Sequence, residues 1–106
     1  MVEIYLTTDL TVTGYGTVDA LESELGRVME QLVSLSGPGC DVDDPAISLD
    51  LGTQTVTVEL LVRGEDFDAA TRNADIALRT SVHAAGGATP AWEVTKQSQR
   101  AELVDL

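Results

Sequence analysis

The chain has 106 residues, a length suited to one domain with one hydrophobic core. Its composition, 43% hydrophobic and 23% charged, is that of a globular domain without repeats or low-complexity tracts. Eighteen acidic side chains against six basic ones give a formal net charge of −12. That field argues against direct binding to nucleic acid or to an anionic membrane and leaves a basic protein partner as a fitting one.

The apolar runs are far shorter than the ~20 residues a bilayer requires, and the opening MVEIYLTTDL lacks the basic start and apolar middle of a signal peptide, so a cytoplasmic protein is expected. Residues 2–12 alternate, with Val2, Ile4, Leu6, Leu10 and Val12 on one side and Glu3, Tyr5, Thr7, Asp9 and Thr11 on the other. That pattern predicts a strand with one buried face. After the turn TGYGT, Val18, Leu21, Leu25, Val28, Leu32 and Leu35 recur at steps of three and four, which predicts an amphipathic helix capped at Thr17 or Asp19.

SGPGCDVDDP reads as a loop. Beyond it Ile47, Leu49 and Leu51 alternate, GTQT turns the chain, and Val56, Val58, Leu60 and Val62 alternate in their turn, which predicts a hairpin. Asp66 can cap a second helix running to about Ala85, with Phe67, Ala70, Ala74, Leu78, Ser81, Val82 and Ala85 on one face. Arg72, Ile76, Arg79 and His83 fall on the far side. Asp68 with Arg72 and Asp75 with Arg79 have the spacing of helical ion pairs. In HAAGGATPAW, Gly86 can close that helix and Pro90 forces an extended path, after which Trp92 and Val94 supply the inward side of a last strand.

The order strand, helix, strand, strand, helix, strand predicts the ferredoxin-like α+β fold, a four-stranded antiparallel sheet with both helices on one face. The domain is expected to span 1–100, with 101–106 as a tail or an extension of the last strand, and Leu103, Val104 and Leu106 suggest that it docks. With the first and third strands as central neighbours, the uncovered face would carry Glu3, Tyr5, Thr7, Asp9, Thr57, Glu59, Leu61, Glu93 and Thr95. Such a face is rich in threonine and acid, with Tyr5 its one aromatic, whereas RNA-binding relatives of this topology rely on several sheet aromatics beside basic residues.

No motif rises to a catalytic, cofactor-binding or metal assignment. TGYGT holds a G-x-G between strand and helix, but Asp19 stands where a dinucleotide fingerprint wants a third glycine, and its charge opposes phosphate. Asp41, Asp43 and Asp44 are oxygen donors close in sequence, yet Ala46 and Gly52 occupy the glycine and glutamate positions of a calcium loop, so a solvated turn is the plainer reading. The single Cys40 makes no internal disulfide, and with one histidine it cannot build an iron–sulfur or histidine/cysteine zinc site within one chain. His83 and Trp92 read as the end of a helix and the start of a strand, and no G-x-S-x-G is present.

In length, in element order and in the phrase HAAGGATPAWEV, the chain resembles small proteins of high-GC actinobacteria. The resemblance implies no activity, cofactor or catalytic residue. The residues together point to a non-catalytic protein-interaction or self-association module. Tyr5 and Leu61 form an apolar spot on the open face, and Ile76 an apolar residue on the outer side of the second helix, as candidate interface positions. A homodimer is the expected form, because an uncovered sheet and two edge strands invite pairing. The alternatives are a small-molecule-sensing regulatory domain and a small enzyme built on a dimeric α+β barrel.

Overall fold

The computed structural model describes residues 2–14, 16–37, 40–84 and 93–104, without the side chains of 84 and 93–95. The elements are β1 (Val2–Thr13), α1 (Val18–Ser34), β2 (Val42–Asp50), β3 (Thr55–Gly64), α2 (Phe67–Ala84) and β4 (Glu93–Leu103). The sheet order is β2-β3-β1-β4 with every neighbouring pair antiparallel, so each helix carries the chain across an intervening strand. This is the ferredoxin-like α+β fold.

Local chemistry sets the element ends. Gly14 and Gly16 take φ of 75° and 81°, a region where a Cβ is costly, and so reverse the chain between β1 and α1. Thr17 is the N-cap, its hydroxyl accepting from the Ala20 amide at 3.1 Å. Asp66 does the same for α2, accepting from the Ala69 amide at 2.8 Å.

Alternation then divides the sheet. Ile4, Leu6, Leu10 and Val12 of β1 and Val56, Val58, Leu60 and Val62 of β3 are all buried beneath the helices. They meet Leu21, Val28 and Leu32 of α1 and Ala70, Ala74, Ala77 and Leu78 of α2 in one core. Full burial of each Val, Leu or Ile stabilises the fold by about 1.5–3 kcal/mol relative to exposure. The alanines let α2 lie close: a Cβ built on Gly64 would stand 2.8 Å from Ala70 Cα and nearer still to its amide nitrogen.

Several expectations are corrected. β2 starts at Val42, inside the stretch read as loop, because Val42 is buried opposite Val62 and a one-residue bulge between Asp43 and Ala46 absorbs the turn-forming residues. Asp44 sits there at φ 50°, and Pro45, which has no N–H to give the ladder, is tolerated because β2 is an edge strand. Leu51 lies past the end of β2, in the turn, and is 51% exposed. Phe67, the first residue of α2, is 44% exposed rather than inward, although Ala70 in the same turn is fully buried. Among the described residues, no ion pair joins Asp68 to Arg72 or Asp75 to Arg79. Asp75 turns instead towards β4, 3.9 Å from Lys96 Nζ and accepting from Gln99 Nε2 at 2.9 Å.

The same Gln99 nitrogen donates to Thr8 Oγ1 at 3.1 Å, which satisfies the buried polar side chain that interrupts the inward row of β1. β4 runs through Leu103, so Arg100, Ala101, Glu102 and Leu103 pair with Thr7, Leu6, Tyr5 and Ile4. Gly86, Gly87, Pro90, Trp92 and Leu106, as well as the side chains of Ala85, Glu93, Val94 and Thr95, lie outside the described residues. No helix among those residues is long and apolar enough to cross a membrane.

Candidate functional site: the uncovered sheet face

The register builds the open face row by row. From β2 to β4 the rows are Asp43, Leu61, Tyr5, Glu102; Ala46, Glu59, Thr7, Arg100; and Ser48, Thr57, Asp9, Ser98. Asp50, Thr55 and Thr11 continue it at one end, and Arg63 and Glu3 at the other.

The Val12 amide bonds the Gln54 carbonyl, and the Val104 amide bonds the Glu3 carbonyl. Even positions of β1 therefore exchange backbone hydrogen bonds with β3, and the odd positions from 3 to 9 exchange them with β4. On the open face the β1–β3 pairs are consequently the narrow kind, with Cα atoms about 4.5 Å apart and side chains in reach of one another.

The contacts between β1 and β3 follow from that spacing, and β4 and the start of β2 add others. Thr57 Oγ1 donates to Asp9 Oδ1 at 2.8 Å, and Ser98 Oγ to Asp9 Oδ2 at 3.0 Å. Arg63 Nε donates to Glu3 Oε2 at 2.8 Å, while its other nitrogens reach the Cys40 carbonyl at 3.0 Å and Asp43 at 3.5 Å. Tyr5 lies directly opposite Leu61, and its hydroxyl donates to Glu59 Oε2 at 2.7 Å.

Titration follows the same contacts. The hydroxyls of Thr57 and then Ser98 hold the Asp9 carboxyl below its usual value, helped by the nearby Arg100 charge. The Tyr5 phenol is raised, first by its bond to Glu59 and then by partial desolvation. Arg63 is raised above its usual value chiefly by Glu3. Among the described side chains the face holds carboxylates at Glu3, Asp9, Asp43, Asp50, Glu59 and Glu102 against guanidinium groups at Arg63 and Arg100.

Of the candidate interface residues, the structure brings Tyr5, 37% exposed, against the half-buried Leu61. Ile76 is 63% exposed on the opposite, helical side, in an open groove of ≈ 330 Å³ with Leu35, Val42, Asn73 and Ala77. It shares no surface with the other two. Asp43 is engaged by Arg63 and by the Asp44 amide at 2.9 Å, while Asp41 is exposed. Among the described residues, no three His, Cys, Asp or Glu side chains gather in a metal-binding arrangement. His83 is exposed in the last turn of α2.

Sequence reading missed Ser98, Arg100 and Glu102 on this face. RAEL carries the right alternation, but Gln97 is an extra residue in β4, opposite the step from Asp9 to Leu10, and it inverts the parity of everything after it.

No protein-family model matches the chain, and no curated protein matches it. Among solved structures, "De novo designed protein Foldit4" is similar, with 14% identity over 94% of this chain and 96% of that one and a TM-score of 0.48.

Proposed function

We propose that the chain is a non-catalytic protein-interaction module that offers its open sheet face to a basic protein surface. The observation behind this reading is the six-to-two excess of carboxylates over guanidinium groups, among the described side chains, on the side of the sheet that the helices leave uncovered. Arg63 is already engaged by Glu3 and Asp43, so the field that a partner meets is acidic. Such a field steers cationic partners and raises their rate of association. The hydrogen bonds that hold Asp9 and Glu59 in place reduce the side-chain ordering cost of docking, and Tyr5 beside Leu61 gives the centre an apolar anchor.

Titration calorimetry with an arginine-rich helical peptide tests the reading. Asp9→Asn, Glu59→Gln and Glu102→Gln together should weaken binding by about tenfold or more, roughly 1.4 kcal/mol. Neutralising three exposed helix acids, Glu22→Gln, Glu30→Gln and Asp68→Asn, should change it by less than about threefold. Equal losses in the two variants would reduce the effect to overall charge and defeat the proposal.

A further inference from the structure

The free edge of β4 is a separate surface, and its register names a partner. Val104 bonds backbone to backbone with Glu3, and the pairs alternate from there: Ser98, Arg100 and Glu102 turn their N–H and C=O groups towards β1. The backbone groups of Gln99, Ala101 and Leu103 therefore point away from the sheet, along an edge on which no strand is paired among the described residues.

We infer that β4 pairs antiparallel with β4 of a second copy, about a two-fold axis through Ala101, to form a continuous eight-stranded sheet. Backbone directions admit only registers that match outward residues with outward residues. Shifting the axis one residue towards the N-terminus sets Arg100 against its own copy, and one residue towards the C-terminus does the same to Glu102. Centring on Ala101 sets Arg100 opposite Glu102 of the other copy, twice, at narrow pairs where cross-strand charges are closest.

The same register bonds Ala101 to Ala101 and Gln99 to Leu103, about six backbone hydrogen bonds in all. It places the small Ala101 side chains at the axis and covers Leu103, which is 64% exposed in the single chain. The net charge of −12 on each copy opposes association at long range, but charges farther apart than about 8 Å are screened at physiological salt. The pairing uses the strand edge and engages two charged residues at the rim of the open sheet face, Arg100 and Glu102, while Tyr5, Asp9, Glu59 and Leu61 stay uncovered.

Sedimentation equilibrium on the full chain over a wide concentration range, with amide hydrogen exchange alongside, decides it. The wild type should show a monomer–dimer equilibrium, with the Ala101 and Leu103 amides gaining protection as the concentration rises. Ala101→Pro removes an outward donor and no bond to β1, so it should give a monomer with an unchanged far-ultraviolet spectrum. Arg100→Glu should raise the dissociation constant at least about tenfold, and adding Glu102→Arg should restore it to within about threefold.

A wild type that stays monomeric, or a dimer indifferent to Ala101→Pro and to the charge swap, overturns the inference. If the proline variant fails to fold, exchange in the wild type still decides, because outward amides that stay unprotected at high concentration rule the pairing out. Ala101→Pro leaves every face carboxylate in place, so peptide binding by that variant tests the open-face proposal independently.

Discussion

The two sides of this one sheet solve different problems with the same strands. Beneath the helices, Ile4, Val12, Val56 and Val62 are at most 1% exposed, and shape and volume decide what fits. On the other side, the residues that alternate with them are held by hydroxyl–carboxylate and guanidinium–carboxylate contacts around a partly exposed tyrosine. Substitution on the first side is a stability event. On the second, charge and hydrogen bonding can change while the fold persists, and this freedom is what a binding surface requires.

The contrast can be broken most sharply at Leu32, which is fully buried in α1. Leu32→Ala should cost about 2–5 kcal/mol in urea unfolding, whereas a loss of under 1 kcal/mol would mean that the covered side is not tightly packed. Gly64→Ala should cost about 1–3 kcal/mol by the same measurement, because its Cβ would strike the backbone of α2 at Ala70. Ser81 should act with the opposite sign. Its hydroxyl is fully buried without a hydrogen-bond partner among the described residues, so Ser81→Ala should leave stability unchanged or raise it by about 1 kcal/mol.

The open side gives the smallest effect. Asp9 has a lowered pKa, so its contribution to stability is complete above its usual 3.8 and is lost as pH falls through the lowered value. Thr57→Val removes the leading cause, and the Asp9 titration followed by carbon NMR should move upward towards that usual value. An unmoved midpoint would show that Thr57 does not hold the carboxylate.

The order of elements implied the strand order, and the alternation of Ile4, Leu6, Val56, Val58, Leu60 and Val62 then gave the covered side and put Tyr5 and Leu61 together on the open one, because a period of two assigns faces once neighbours are known. What escaped lies where that period is interrupted. Asp44 and Pro45 carry turn chemistry but form a bulge within β2, and local signals cannot tell a bulge from a loop when the tertiary partner, here Val62 opposite Val42, decides. Gln97 concealed Arg100 and Glu102 in the same way. Leu51 and Phe67 keep the apolar rhythm in sequence yet lie at element ends, where they stay about half exposed. Asp75 had two possible partners, and its choice of β4 over Arg79 depends on a strand placed more than twenty residues later in the chain.

The kink at Asp44 and Pro45 bears also on growth. A sheet whose two borders both accept strands can add copies without limit, as fibrils do. Here the outer border of β2 is bent at the bulge and lacks the donor that Pro45 cannot supply, which opposes a strand adding at that end, whereas the two-fold β4 pairing proposed above would be complete at two molecules.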